Sequence, residues 1–262
     1  MIVVATGRNN LGTVLEKVFG PPPQFDPAHD GVDYAAVERW APVLEALAGY
    51  FRASYHGLEH IPTEGGAMLV GNHGLFGFDG LFLGTAIYRA TGRLPRGLAE
   101  RMLFLVPGLR DSLQKIGSLD GTPATALAFL RAGHLVNTYP GGARDALKPR
   151  EARYRLNWAK SFGFVQVALR AQVPVILHMG IGIDESWRII GRIRWTGRVM
   201  GSDKYELPVL LGWGLAPRPV KFTYYLSEPI HLDGRPEDAD NEQVVERIHR
   251  QLWDRGHAML EE

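Results

Sequence analysis

Short apolar runs and helical stretches alternate along most of the chain. Four runs predict strands: "AMLVGN" from 67, "HLVNTYP" from 134, "VPVILHMGI" from 173 and "VKFTYYL" from 220. The spacing of apolar residues predicts helices over 80–91, 122–132, 152–171 and 241–260. The runs are apolar at odd and at even positions, which is typical of strands buried on both faces. We therefore predict an α/β fold: a single domain with a mixed, mostly parallel sheet flanked by helices.

The first part of the chain has a different character. Residues 1–54 are predicted to form an N-terminal helical segment with a proline-rich connector, and residues 55–262 the main domain. After the connector, Asp33 is placed to cap a helix in which apolar residues recur at helical spacing. These residues are Tyr34, Val37, Trp40, Leu44, Leu47 and Phe51. We expect this stripe to pack on the core; the alternative is that it faces a membrane.

Composition removes several classes of function. The 262 residues carry a formal net charge of +1, so nothing points to a nucleic-acid partner. The chain has no cysteine, which excludes disulfides, thiolate nucleophiles and cysteine-bound zinc. No run approaches the roughly 18 apolar residues of a membrane-spanning helix. We infer neither a metal nor a cofactor.

The stretch "GNHGLFGFDG", residues 71–80, follows the first predicted strand and combines an imidazole with a carboxylate. A turn after such a strand lies at the carboxyl edge of the sheet, where α/β proteins bind ligands. On one helix His73 and Asp79 would point roughly 240° apart, but a turn curling at Gly74 and Gly77 lets them meet. Asp79 would then fix the tautomer of His73 and leave its other nitrogen as a base.

Spacing alone leaves other interpretations open. Asp79 could cap the following helix, and His73 could be a structural histidine. The same spacing recurs at His178 and Asp184 in "HMGIGID", again after an apolar strand. The pattern by itself does not choose between the two pairs.

Four segments in order resemble the signature blocks of the glycerophospholipid acyltransferase superfamily (PlsC-like). Residues 67–80 resemble its first block, an "NH…D" just after a strand. The segments "YPGGARD" (139–145), "AQVPVIL" (171–177) and "YYLSEPIHL" (224–232) are similar to later blocks. The resemblance covers residues 55–232 and implies a glycerolipid acyltransferase-like fold.

The resemblance also implies a mechanism. His73 would be the general base that takes the proton from an acceptor hydroxyl, and Asp79 would orient it. The hydroxyl would attack an acyl thioester, either acyl-CoA or acyl-ACP, directly and without an acyl-enzyme. The implied substrate-binding residues come from the blocks and from the phenylalanines beside His73. They are Phe76, Phe78, Gly141, Gly142, Arg144 and Pro174.

The expected function is therefore that of an O-acyltransferase acting on a hydroxyl of a glycerolipid or lysophospholipid. The acyl carrier and the lipid acceptor are its expected partners, both as substrates. The alternatives are a lipid esterase or thioesterase that activates water, and a lipid-binding protein without turnover.

Two departures from the family pattern bear on the acceptor. Five residues separate His73 from Asp79 where the usual spacing is four, and "YPGGARDAL" matches the branch that includes neutral-lipid acyltransferases. The third-block glutamate is Gly141 here, and the second-block stretch "KIGSLDGTP" lacks the arginine of phosphate-binding members. Arg144 is retained and either binds a phosphate or holds the loop by pairing with a carboxylate. These departures predict a neutral or weakly charged acceptor.

The segment "WRIIGRIRWTGRVM", residues 187–200, contains four arginines, two tryptophans and no acidic residue. As a strand or as a helix it has one basic face, and its glycines favour the strand. Arginine and tryptophan suit a lipid interface, so we predict contact with a membrane surface; the alternative is a solvated face over the core. The contact residues would be Trp187, Arg188, Arg192, Arg194, Trp195 and Arg198. The expected location is peripheral, on the cytoplasmic face of a membrane.

Overall fold

The structure is a computed structural model, and it describes most of the chain. The described residues are 24–74, 77–105, 108–159, 161–193, 195, 207–212 and 216–261. The predicted helical segment before residue 24 lies outside them, as do Phe76, Arg194 and Arg198.

The described residues form helices and strands in alternation from residue 54 onward. The α-helices are α1 (Tyr34–Tyr50), α2 (Phe78–Thr91), α3 (Leu109–Lys115), α4 (Pro123–Arg131), α5 (Gly142–Ala146), α6 (Gly163–Ala171) and α7 (Glu242–Glu261). The strands are β1 (Ser54–His56), β2 (Ala67–Gly71), β3 (Arg96–Ala99), β4 (Leu119–Asp120), β5 (Leu135–Thr138), β6 (Val175–Ile181), β7 (Arg188–Ile193), β8 (Leu207–Leu211) and β9 (Thr223–Leu226).

The main sheet has the strand order β1-β9-β6-β2-β5-β3-β4. Pairings from β6 to β4 are parallel, β9 runs antiparallel to β6, and β1 runs parallel to β9. The predicted α/β fold with a mixed, mostly parallel sheet is therefore confirmed. The three central strands β6, β2 and β5 end at one edge of the sheet, and the turns that follow them lie side by side there.

Helices cover both faces of the sheet. Met68 and Val70 of β2 join one core cluster with α4, α6 and α7. Ala67 and Leu69 of the same strand join a second cluster on the other face, together with α2. Alternate side chains of a strand point to opposite faces, so a strand that is apolar at every position requires two cores.

The predicted helix over 152–171 is wrong in its first half, because the α-helix begins only at Gly163. Tyr154 and Ala159 have left-handed φ values of 60° and 41°, which no α-helix accommodates. The Tyr154 N–H donates to the carboxylate of Asp184, 3.1 Å away, instead of to a helical carbonyl. Strands β1, β3, β4 and β8 were not predicted; the first three have only two to four residues and lie outside the longer apolar runs of the sequence.

Helix α1 packs on the core only in part. Asp33 caps it as predicted, accepting from the Ala36 N–H at 2.9 Å. Phe51, just after the helix, is buried and stacks on Phe222 with ring centroids 4.3 Å apart. Trp40, however, is 57% exposed, so the prediction that the whole stripe packs on the core is wrong. None of the helices in the described part of the chain combines the length and apolar content that crossing a bilayer requires.

Candidate active site

His73 and Asp79 meet at the carboxyl edge of the sheet. Nδ1 of His73 lies 3.0 Å from Oδ2 of Asp79. A carboxylate can only accept, so Nδ1 carries the proton and Nε2 keeps its lone pair. The His73 side chain is 23% exposed while that of Asp79 is 3% exposed. A substrate can therefore reach the imidazole, whereas the carboxylate that orients it is shielded from water.

The turn between the two residues brings them together through a glycine. Gly77 adopts a left-handed φ of 71° and is followed at once by α2. Asp79 thus lies in the first turn of α2, but the helix end has no side-chain cap. The carboxylate bonds His73 instead of capping the helix.

Neighbouring strands hold the histidine in place. The Tyr139 ring, just after β5, stacks on the imidazole of His73 with centroids 4.2 Å apart. Asn72 makes two hydrogen bonds to the backbone of Gly180 in β6, at 2.7 and 2.9 Å. Asn72, the residue before His73, is therefore hydrogen-bonded to the adjacent strand β6. The His73 ring itself packs on Tyr139, which follows the other adjacent strand, β5.

Three further charged residues form a buried network behind the histidine. The His73 N–H donates to Oδ2 of Asp145, 3.1 Å away. Lys148 lies between two carboxylates, 3.0 Å from Asp145 and 2.9 Å from Asp184. Because one ammonium group faces two carboxylates, the network adds negative charge near the imidazole.

These charges set the protonation of the site. Burial alone would lower the pKa of His73, but the Asp79 carboxylate, its hydrogen bond and the charge of Asp145 raise it above 6.5. Burial, and then the Asp79 carboxylate, hold the pKa of the Tyr139 phenol well above its ordinary value. His73 is therefore a stronger base than a free imidazole, and the adjacent phenol stays protonated.

The second histidine with the same spacing has a different environment. His178 lies within β6, is buried, and donates from Nε2 to Oδ1 of Asn137 at 2.8 Å. Burial lowers its pKa to about 4. Asp184 bonds Lys148 and the Tyr154 N–H, so no His178–Asp184 pair forms. The tertiary structure thus distinguishes the two pairs, which the spacing could not.

The third-block residues surround Asp145. A Cβ atom on Gly141 would lie 2.5 Å from the Cβ of Asp145, so only glycine fits there. Gly142 begins α5 with a φ of 50°. Arg144 is exposed on α5, and among the described residues no carboxylate pairs with it. The alternative in which Arg144 holds the loop through an ion pair is therefore not what these residues show.

The remaining predicted substrate-binding residues lie at different distances from the site. Phe78 is partly exposed beside Asp79 and packs on Phe82, with ring centroids 6.0 Å apart. The Pro174 carbonyl accepts from the Met68 N–H at the start of β2, so Pro174 lies at the opposite edge of the sheet. That edge is roughly 15 Å from His73 along the strand.

The predicted basic segment forms a small separate sheet in its described part. β7 pairs antiparallel with β8, which agrees with the interpretation of this segment as a strand. Arg188 is exposed, Ile190 is 61% exposed and Trp195 is 66% exposed, whereas Trp187 is partly buried. The side chain of Arg192 lies outside the described atoms. Among the described residues, no group of three or more histidine, aspartate and glutamate side chains could hold a metal ion.

Comparisons with known proteins found a family model, sequence relatives and a solved structure that are similar to this chain. A family model described as Acyltransferase matches residues 52–177, which include His73, Asp79 and Asp145. The human "DGAT1/2-independent enzyme synthesizing storage lipids" is 32% identical over 204 residues, covering 78% of this chain and 60% of that protein.

The chain belongs to the glycerophospholipid acyltransferase superfamily. An uncharacterized protein of Mycobacterium tuberculosis is 32% identical over 204 residues, covering 75% of this chain and 57% of that protein. The chain thus spans about three fifths of the length of these relatives. The crystal structure of the 1-acyl-sn-glycerophosphate acyltransferase PlsC from Thermotoga maritima has the same fold. Its TM-score is 0.52 at 16% identity, with 96% of this chain and 95% of that chain covered.

Sequence reasoning missed the supporting residues of this acyltransferase domain. Asp145 and Lys148 stand three residues apart in "DALK", a spacing that often marks an ion pair on a helix. That signal was available. No local sequence pattern indicates that Asp145 accepts a hydrogen bond from His73, 72 residues earlier. Nor does any indicate that Asp184 is a second partner of Lys148.

Proposed function

We propose that the chain is an O-acyltransferase that moves a fatty acyl group from an acyl thioester to a hydroxyl of a glycerolipid or lysophospholipid. The observation that carries the proposal is the His73–Asp79 pair, with Nδ1 bonded to a shielded carboxylate and Nε2 left free to act as a base. The name of the human relative, an enzyme synthesizing storage lipids, supports the same substrate class.

The proposed reaction is a direct transfer. Nε2 of His73 takes the proton of the acceptor hydroxyl as its oxygen attacks the thioester carbonyl carbon. The tetrahedral intermediate then collapses, the C–S bond breaks, and the imidazolium returns the proton to the departing thiolate. Asp79 keeps Nδ1 protonated and stabilises the imidazolium formed in between. The products are an ester and a free thiol, so neither a metal nor a redox step is needed for the balance.

The test is a pair of histidine variants assayed with an acyl thioester and a lipid acceptor. We expect His73→Ala to lose about 10²- to 10⁴-fold in rate, the usual contribution of a general base. His178→Gln keeps a donor for Asn137 and should retain most of the activity. Thermal melting of both variants checks that they fold.

Two results would contradict this assignment. Equal losses of transfer rate in both variants would mean that His73 is not the base. Release of free fatty acid in place of lipid ester would instead make the chain an esterase or thioesterase.

The charge around the base supports a neutral or weakly charged acceptor. Among the described residues of this network, Asp145 and Asp184 pair with Lys148 and Asp79 bonds His73, so three carboxylates stand against one ammonium group. Phe78, Trp187 and Phe222 line the narrow crevice beside Asp79. A phosphomonoester carries nearly two negative charges and would be repelled there, since taking it out of water requires compensating donors.

A competition assay tests the acceptor. One acyl thioester is offered diacylglycerol, monoacylglycerol, a zwitterionic lysophospholipid, lysophosphatidic acid and glycerol 3-phosphate at equal concentrations in mixed micelles. We expect the first three to be acylated at least about tenfold faster, which corresponds to about 1.4 kcal/mol of discrimination. Preference for lysophosphatidic acid, removed selectively by Arg144→Ala, would overturn this prediction.

The lipid substrate implies a membrane surface, and the β7–β8 sheet is the proposed contact. Arg188 is exposed beside exposed apolar side chains, which are Ile190, Ile193, Trp195, Val209 and Leu211. Basic and apolar groups together suit the boundary between lipid headgroups and acyl chains. On this proposal the protein acts peripherally, on the cytoplasmic face of a membrane.

A further inference from the structure

A larger cavity lies beside α5, the helix that carries Asp145. Its volume is about 770 Å³, within the range of small-molecule sites. It lies between α5 with the following loop and the last turns of α7. Its lining includes Arg144, Arg153, Arg155, Leu156, Trp253 and His257.

Three guanidinium groups make this cavity strongly basic. The structure records no ion pair and no side-chain hydrogen bond for Arg144, Arg153 or Arg155 among the described residues. Lys148 also lines the cavity, but its charge is already matched by Asp145 and Asp184. The only carboxylate among the lining residues is Glu261, at the exposed end of α7. With the Glu261 carboxylate set against the three guanidiniums, about two positive charges are left for an anionic ligand among the described lining residues.

The irregular loop that breaks the predicted helix is what presents two of these arginines. Tyr154, between Arg153 and Arg155, is fixed by its N–H to Asp184 at 3.1 Å and by its hydroxyl to Glu185 at 2.5 Å. The Gly182 N–H also donates to that hydroxyl at 3.2 Å. Tyr154 is thus anchored to the turn after β6 in a left-handed conformation, and Arg153, Tyr154 and Arg155 all line the cavity instead of continuing a helix.

An aromatic wall faces the arginines. The Trp253 indole N–H donates to the Leu156 carbonyl at 3.1 Å, and the His257 ring lies 3.9 Å from the indole, centroid to centroid. His257 accepts from the Leu156 N–H at Nε2 and donates from Nδ1 to the Trp253 carbonyl, so both rings are fixed. A preformed aromatic surface beside guanidinium groups suits a planar base that carries phosphates.

We propose that this cavity binds the phosphorylated nucleotide of a coenzyme A-type acyl donor. The proposal deepens the proposed function by choosing between the two thioester carriers. Three guanidiniums match more than one phosphate, and the aromatic wall and the volume match the nucleoside. The cavity is connected to the proposed base through α5: Arg144 in its wall precedes Asp145, whose carboxylate accepts the His73 N–H. The thioester arm then passes over α5 to His73.

Binding of non-acylated coenzyme A, measured by titration calorimetry on the full chain, tests the cavity without any turnover. We expect coenzyme A and adenosine 3′,5′-bisphosphate to bind, and Arg153→Gln/Arg155→Gln to weaken both by about tenfold or more per guanidinium lost. Arg247→Gln/Arg250→Gln removes two exposed charges from α7 outside the cavity and should bind like the parent. Arg153→Lys/Arg155→Lys keeps the charge and should retain intermediate affinity, which guards against a folding defect.

A kinetic comparison separates this proposal from the proposed function. In Arg153→Gln/Arg155→Gln, the KM for acyl-CoA should rise while that for an acyl-pantetheine, which lacks the nucleotide, stays unchanged. If the chain binds coenzyme A through these arginines but transfers no acyl group, the proposed function fails and the cavity assignment stands. If the chain transfers acyl groups and both KM values are unchanged, the cavity assignment is wrong. Binding of holo-acyl carrier protein or of glycerol 3-phosphate in place of coenzyme A would also overturn it.

Discussion

At the scale of residues, the site depends on one imidazole whose two nitrogens have different roles. Nδ1 of His73 is committed to a carboxylate that is almost fully shielded from water. Its backbone N–H is committed to Asp145, and its ring plane is set by Tyr139. Orientation and charge are therefore fixed before a substrate arrives, which is the arrangement a general base requires.

The pH dependence of the reaction follows from these contacts. Only the neutral imidazole can accept a proton, so activity should fall as the pH drops through the pKa of His73. The Asp79 carboxylate raises that pKa, so the acidic limb of kcat/KM should have its midpoint above pH 6.5. In Asp79→Asn, burial is left as the main influence and lowers the pKa, which moves the limb to lower pH. The plateau should also fall by about 10²- to 10⁴-fold as the tautomer is lost.

The control for this profile is Asp240→Asn, which changes an exposed carboxylate paired with Arg170 on the surface. Its acidic limb should coincide with that of the parent. An Asp79→Asn limb that did not move would mean that another group titrates in the profile.

At the scale of elements, the site is built on close contact between β2 and β6. Gly71 ends β2 directly opposite His178. A Cβ atom there would lie 2.2 Å from the His178 ring and 2.3 Å from its carbonyl oxygen. The chain therefore needs glycine two residues before His73, because the neighbouring strand occupies the space.

This contact predicts opposite effects for two glycine substitutions. Gly71→Ala must push β2 and β6 apart and should lower the free energy of unfolding by about 3 kcal/mol or more. Gly84→Ala, within α2 and with nothing within 4 Å of the new methyl group, should raise it by about 0.5–1 kcal/mol. Urea denaturation followed by circular dichroism measures both. A Gly71→Ala protein as stable as the parent would mean that the two strands do not touch there.

At the scale of the whole molecule, the proposed chemistry and the proposed membrane contact lie on different parts of the chain. His73, the proposed base, follows β2 of the main sheet, whereas exposed basic and apolar side chains lie on the separate β7–β8 sheet. Trp187, which precedes β7, also lines the crevice beside Asp79. A surface bound through β7 would therefore place lipid next to the base.

Flotation with anionic vesicles tests this arrangement. Each basic residue near such a surface contributes about 1 kcal/mol. Replacing Arg188, Arg192, Arg194 and Arg198 with glutamine should release the protein, and raising the salt concentration should release the parent. The matched control replaces the same number of arginines elsewhere, namely Arg131, Arg170, Arg247 and Arg250, and should float like the parent. Equal flotation of both variants would mean that β7 is an ordinary solvated face and does not contact the membrane.

The class of fold, the main alternation of strands and helices, and the family were all predictable from the amino-acid sequence. Apolar periodicity and glycine-rich turns are local properties, so they can be interpreted without knowing which strands pair. The same holds for the signature blocks around His73 and Asp79, which are six residues apart and meet through a single turn. The central strands β6, β2 and β5 were predicted because both of their faces are buried, whereas β1, β3 and β4 were not because so few residues carry no period.

The folded structure, in contrast, was needed to show which groups lie together across the sheet. It separated His73 from His178 by pairing one with Asp79 and burying the other against Asn137. It placed Lys148 between Asp145 and Asp184. It also showed an irregular loop at Tyr154 where a helix was predicted, so that Arg153 and Arg155 line a cavity together with α7. These contacts join residues that are distant along the chain. They depend on strand order and register, because the carboxyl ends of β2, β5 and β6 are adjacent only once the sheet has formed.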